Sequence, residues 1–177
     1  MIAPVASTRG ADSFISVVLP QYNEGEILTR LVELVEAALK QCATNYEILF
    51  VNDGSTDGSG ELLDEIATCN SHVRVLHFSR NFGHQAAVQA GIENACGDAV
   101  IVMDSDLQDD PKAICDFVAK WKEGYDVIYA ERTNRKENPA KRFLFYSFYR
   151  FLNSISDTPI PNDAGNFGLW IVGRLIL

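Results

Sequence analysis

The chain has 177 residues, 47% hydrophobic and 22% charged, with a formal net charge of −9. A chain of about 150 residues buries roughly 70% of its extended surface, which suffices for one domain with a substantial core. The composition excludes extensive disorder, and the acidic balance excludes nonspecific nucleic-acid binding.

The charge is unevenly spread. Residues 1–131 carry 8 Lys/Arg against 21 Asp/Glu, whereas residues 132–177 carry 7 against 3, so the basic tail suits a different partner from the acidic body. Cys42, Cys69, Cys96 and Cys115 are widely spaced with no CxxC pair, which signals neither a zinc site nor a disulfide framework and fits a reduced, cytosolic setting. Residues 1–13 are small and polar and lack the apolar core of a secretory signal; they are expected to form a flexible N-terminus. No segment supplies the roughly 20 apolar residues of a transmembrane helix.

Along the chain, short apolar runs alternate with amphipathic ones. Phe14–Pro20 (FISVVLP) predicts a buried strand. Ile27, Leu28, Leu31, Leu34, Val35, Ala38 and Leu39 then recur at helical spacing. The unit repeats with a strand at Tyr46–Asn52, a helix at Asp57–Cys69 and a strand at Val73–Phe78. A helix at His84–Cys96 follows, with Gly97 placed to end it at positive φ. A fourth strand is expected at Ala99–Met103, a helix at Pro111–Glu123 opened by its proline, and a fifth strand at Asp126–Ala130. Such alternation implies a Rossmann-like α/β fold, a mainly parallel central sheet flanked by helices on both faces. Beyond Arg132 the pattern changes to a basic loop (TNRKENPAKR), an aromatic helix candidate at Phe143–Ile155 and a proline-bearing loop (DTPIPNDAG). The aromatic helix is as well suited to packing in the core as to lying on anionic lipid beside Lys141, Arg142 and Arg150.

Parallel sheets of this kind bind ligands outside the carboxyl ends of their strands. The residues met there are Pro20–Glu24, Asp53–Ser55, Ser79–Asn81 and Asp104–Asp106. In an extended segment residues i and i+2 face the same way, so Asp104 and Asp106 are expected to aim at one point. Two carboxylates so placed repel unless a cation or shared proton intervenes. Hard oxygen ligands suit Mg²⁺ or Mn²⁺, which complete their shells with water and substrate phosphates. The reading is a metal–diphosphate site, against the plainer one in which both aspartates cap a turn. Asp109 and Asp110 fit a solvated first turn. Asp53 is placed to accept bonds from a nucleobase or ribose, or to form an Asx turn, and Asp57 to cap the next helix. Neither GxGxxG nor GxxxxGK[ST] occurs, which leaves dinucleotide oxidoreduction and P-loop hydrolysis without support.

The stretches VVLPQYNE, EILFVNDGSTDGS, RNFGHQAAVQAG, VIVMDSDLQDDP, GYDVIYAERTNR and AKRFLFYSFYRFLNSISDTPIPNDAG, in this order over residues 14–169, resemble the family 2 glycosyltransferases of GT-A fold. The branch they are similar to glycosylates polyprenyl phosphates, as bactoprenol glucosyltransferases and dolichol-phosphate mannosyltransferases do. The resemblance implies a glycosyltransferase domain over 14–169 and a divergent tail over 170–177. It implies that Pro20, Tyr22, Glu24, Asp53 and Asp104 line the nucleotide pocket and that Asp104, Asp106 and Gln108 serve the metal and diphosphate. Arg132 and Arg142 would grip the diphosphate and the acceptor phosphate, which makes Asp104, Asp106 and Arg132 the catalytic set. The implied reaction is inverting transfer of a hexose, glucose from UDP-glucose, to a polyprenyl phosphate at the cytoplasmic face of the membrane, in cell-envelope or surface-polysaccharide biosynthesis. A lipid phosphate is already anionic and needs positioning more than a general base; no Glu-Asp dipeptide is present, and Asp163 reads either as a substitute base or as a plain turn residue.

Asn166 and Gly168 stand where many relatives have an acid and an arginine, and LWIVGRLIL departs from the family pattern. The chain is therefore also readable as a C-terminally truncated fragment that binds nucleotide sugar without turnover. A haloacid-dehalogenase-type phosphatase is disfavoured, because Leu107-Gln108 follows the aspartates where that motif wants Thr or Val. A homo-oligomer is compatible with all of this.

Overall fold

The computed structural model describes residues 9–10, 12–108 and 110–128 and the backbone of 171–173. They belong to one compact unit, residues 1–128 with 169–177. Four strands, β1 (Phe14–Gln21), β2 (Asn45–Asn52), β3 (Val73–His77) and β4 (Ala99–Val102), alternate with helices α1 (Gly25–Cys42), α2 (Ser59–Cys69), α3 (His84–Asn94) and α4 (Ala113–Lys122). A short β5 (Ile171–Gly173) completes a sheet of order β3-β2-β1-β4-β5. The first four strands pair in parallel, with Val17 opposite both Ile48 and Ile101. β5 runs antiparallel to β4.

The expected fifth strand at Asp126–Ala130 is not what extends the sheet. Asp126–Ile128 have no strand conformation, Tyr129 and Ala130 lie outside the described residues, and β5 takes the place beside β4.

Because side chains alternate across a strand, each strand of the buried sheet feeds two cores. Ile15, Val17 and Leu19 of β1, Ile48 and Phe50 of β2 and Ile101 of β4 pack on one face with the apolar stripes of α1, α2 and α4. Val18, Leu49, Val51, Val100 and Val102 point to the other face and meet Ala87 of α3. The chain steps from β1 to β2 to β3 in one direction, then returns past β1 to β4. Crossovers are right-handed, so reversal of direction moves α3 to the opposite face from α1 and α2. The gap between β1 and β4 is the topological switch point.

Gly97 does not hold positive φ. α3 ends at Asn94 with extended Ala95 as its cap, and Gly97 is needed for close approach. A Cβ there would lie 2.6 Å from Ser16 N and 2.7 Å from Ala99 O.

Beside Gly97 sits Glu47, 4% exposed and the one charged side chain buried within a strand among the described residues. Its Oε1 accepts from Ser16 Oγ (2.6 Å) and Cys96 N (2.7 Å), and Oε2 accepts from Arg74 Nη1 (2.5 Å). One carboxylate thus ties β2 to β1, to β3 and to the loop entering β4. Burial alone would raise its pKa, but the bonds from Ser16, Cys96 and Arg74 together outweigh it and hold the group below its ordinary value. A carboxylate whose folded pKa is depressed stabilises the fold above its unfolded value of about 4.3, and that stability is lost as pH falls through the folded value. Glu47→Gln is therefore expected to cost about 3 kcal/mol at pH 7. Urea denaturation of both proteins between pH 7 and pH 3 should show the difference closing as acid protonates Glu47; a gap that stays constant would refute this role.

Candidate active site

The carboxyl ends of β1, β2 and β4 and the start of α3 surround a cleft of about 270 Å³. It lies where the strand order reverses, the place this architecture reserves for ligands. Its lining includes Pro20, Tyr22, Glu24, Asp53, Asp104 and Asp106. Six of the residues singled out in the sequence thus come together from loops spread over more than eighty positions. Gln108 is exposed and does not line the cleft. Arg132, Arg142, Asp163 and the aromatic segment 143–155 lie outside the described residues.

The two aspartates converge for a different reason from the one expected. β4 ends at Val102, and Ser105–Leu107 form a bend, so Asp104 and Asp106 do not share one extended segment. Leu107 adopts φ 57, turning the chain back so that Asp106 Oδ1 accepts the Gln108 N–H at 2.9 Å. Asp106 therefore makes the turn contact of the plainer reading while still lining the cleft. One oxygen of Asp104 lies 3.6 Å from His84 Nε2. Periodicity assigns His84 no role; the position of α3 is what sets its imidazole against Asp104.

Between them, Ser105 is buried and turned toward β1. Its Oγ lies 2.8 Å from the Pro20 carbonyl and also contacts Glu24 Oε2. The Ser105 hydroxyl is the donor in both contacts, its one proton shared between the Pro20 carbonyl and the Glu24 carboxylate. Burial raises the Glu24 pKa, the Ser105 contact and His84 oppose this, and the charges of Asp106 and Asp57 reinforce it, leaving a net rise. The cleft thus holds four acids, Glu24, Asp53, Asp104 and Asp106, and burial pushes the Glu24 carboxyl above its ordinary value.

Asp53, 3% exposed, accepts from Phe82 N (2.7 Å) and Gly83 N (2.9 Å). Its carboxylate holds the loop that delivers His84. Each oxygen keeps a lone pair, so this clamp leaves capacity for a further donor. Gly58 is the N-cap of α2; Asp57, one residue earlier, accepts from Ser59 N (3.0 Å) at the start of α2 and from Gly25 N (3.2 Å) at the start of α1. Asn23, at φ 55, stitches the first two loops, donating its N–H to Ser55 Oγ (3.0 Å) and accepting from Thr56 N (2.8 Å).

Among the described residues no group of three His, Cys, Asp or Glu side chains is arranged to hold a metal ion. Two carboxylates at one edge of a cleft are still a fitting donor set for Mg²⁺ or Mn²⁺, since these ions bind through one or two carboxylates plus substrate phosphates and water.

The glycosyl transferase family 2 model matches residues 16–171. The chain belongs to glycosyltransferase family 2. It is 46% identical over 155 residues to an uncharacterised glycosyltransferase, YkcC, of Bacillus subtilis, covering 87% of this chain and 48% of that protein. It is 42% identical over 155 residues to undecaprenyl-phosphate 4-deoxy-4-formamido-L-arabinose transferase of Proteus mirabilis, covering 87% and 46%. Among solved structures, the mannosyltransferase PcManGT of Pyrobaculum calidifontis, in complex with GDP-Man and Mn²⁺, superposes with a TM-score of 0.58 at 19% identity, covering 83% of this chain and 41% of that one. That likeness establishes the GT-A fold. The chain spans about half the length of the curated relatives it matches. No helix among the described residues is long and apolar enough to cross a membrane.

Proposed function

We propose that this family 2 glycosyltransferase domain transfers a hexose, glucose from UDP-glucose, to a polyprenyl phosphate with inversion, at the cytoplasmic face of the membrane. The observation that carries the reading is the convergence of Tyr22, Glu24, Asp53, Asp104 and Asp106 on one cleft at the switch point of the sheet. Tyr22, 45% exposed at the rim, offers an apolar face to a base. Glu24, its carboxyl pushed up by burial, faces the same cleft. Asp104 and Asp106 would hold Mg²⁺ or Mn²⁺, with Gln108 adjoining. A divalent ion there supplies charge compensation to the departing nucleoside diphosphate. His84 steadies Asp104, and the Asp53 clamp fixes the His84 loop. Arg132 and Arg142 are proposed for the diphosphate and the acceptor phosphate, and the basic segment around them for the membrane surface.

The lipid acceptor draws support from the name of the Proteus mirabilis relative. That relative is named for a different sugar, so the hexose rests on the likeness to bactoprenol glucosyltransferases and is set by pocket shape. The test is a donor panel of UDP-glucose, UDP-galactose and GDP-mannose with Mn²⁺ and undecaprenyl phosphate, read as lipid-linked sugar. UDP-glucose is expected to give the product with inverted anomeric configuration. Donor binding without lipid-linked sugar would favour the non-catalytic fragment, and turnover with GDP-mannose alone would overturn the donor assignment.

A further inference from the structure

The cleft-forming loop of β2–α2 is held from outside by a chain of hydrogen bonds that begins at an exposed histidine. His77, the last residue of β3, has Nε2 3.1 Å from Asp64 Oδ1 and Nδ1 3.0 Å from Asn52 Nδ2. Asn52 is 4% exposed. Its Oδ1 accepts the Ser55 N–H at 3.0 Å, which fixes the amide with its nitrogen toward His77. Ser55 Oγ in turn lies 3.0 Å from Asn23 N and 3.1 Å from the side-chain amide of Gln21, on the loop that carries Tyr22 and Glu24 into the cleft. The tautomer follows from this geometry. An amide nitrogen only donates, so Nδ1 must be a lone pair, and the ring proton sits on Nε2 facing Asp64. The surroundings have been shaped for the contact: a Cβ at Gly60 would lie 3.0 Å from Asn52 Nδ2 and 3.8 Å from the His77 ring.

We infer that His77 is a positioning residue for the nucleotide side of the cleft, acting through Asn52 and Ser55. This rests on the nucleotide-binding reading above. The relay has a built-in conflict. A second proton on the imidazole turns Nδ1 into a donor facing the Asn52 nitrogen. If Asn52 rotates its amide to accept from the ring, its nitrogen then faces the Ser55 N–H. Either way one buried bond is lost. Of the elements packed on the ring, α2 presents Asp64 and Gly60, and β2 presents Asn52; the acid sits on the Nε2 side, where it does not relieve the conflict at Nδ1.

The experiment compares the full chain with His77→Leu, which removes the acceptor, and His77→Asn, whose side-chain oxygen can replace Nδ1 and does not titrate. UDP with Mn²⁺ is the calorimetric probe at pH 7.5 and pH 5.5, and the Ser55 and Thr56 amide signals are followed by NMR without nucleotide. His77→Leu is expected to weaken UDP about fivefold and shift the Ser55 amide at both pH values. The wild type should approach that behaviour only where acid has protonated the ring, and His77→Asn should resemble the neutral wild type throughout. Gly60→Ala should reproduce the His77→Leu amide shift. An unmoved Ser55 amide in His77→Leu, or the same pH dependence in His77→Asn as in the wild type, overturns the relay. Should the wild type bind no UDP, the nucleotide reading fails, and the Ser55 signal still decides the relay by itself.

Discussion

Asp106→Asn is expected to weaken Mn²⁺-dependent UDP binding at least about 100-fold while leaving the fold intact. The choice of asparagine separates two roles that the geometry places on one side chain. Asp106 Oδ1 accepts the Gln108 N–H at 2.9 Å, and an amide oxygen preserves that bond, so the bend at Leu107 should survive. What is removed is one negative charge from a cleft that also holds Asp104 and Glu24. A hard divalent ion depends on such charge for affinity, and no third carboxylate among the described residues stands ready to replace it. Removing a nearby acid should also relax the upward push on Glu24. Calorimetry with UDP in Mn²⁺ and in EDTA, with thermal unfolding alongside, makes the comparison. Equal UDP affinity in Mn²⁺ for the two proteins, with unchanged melting, would leave Asp106 as a turn residue and remove the basis for the metal site.

Gly54→Ala is expected to cost at least about 3 kcal/mol, enough to lower the melting temperature by roughly 10 °C in a domain of this size. Gly54 follows Asp53 at φ +69, and a Cβ there would lie 2.4 Å from Arg80 C and 2.7 Å from Arg80 Cα and Asn81 N. Those are backbone atoms of the loop that Asp53 holds through Phe82 and Gly83, so relief of the clash pulls the clamp open. Gly58 is the internal control. It also has positive φ, at +90, but nothing lies within 4 Å of its Cβ position. Gly58→Ala should therefore cost only the left-handed penalty of about 1 kcal/mol. Denaturation curves of the two variants should separate clearly; equal losses would mean that conformation and not contact governs Gly54.

Hydrophobic periodicity is enough to place the first four strands and the four helices of the described residues within a few positions, because it records which faces must leave water, and that demand is local. Phe14–Pro20 became Phe14–Gln21, and the helical stripe from Ile27 to Leu39 became Gly25–Cys42. The same rule, followed past strand ends, located Pro20, Glu24, Asp53 and Asp104 at one rim, since a parallel sheet puts all its carboxyl ends together. It failed at Asp126, where DVIYA has the apolar content of a strand but the edge beside β4 is taken by β5. Edge pairing depends on which segment arrives, and composition does not say which.

What the sequence by itself determined is the layered α/β architecture, the family, and the acidic character of the rim. What only the tertiary structure decided is how those acids are used. His84 meets Asp104 from twenty positions away, Ser105 faces Glu24 across eighty-one, and Asp53 is engaged by the backbone of Phe82 and Gly83. Gly97 serves close packing on β1 rather than a left-handed turn. Local patterns specify which groups must be buried or bent, but a hydrogen bond needs a partner within about 3 Å. The identity of that partner is set by the path of the chain between the two, which periodicity does not encode.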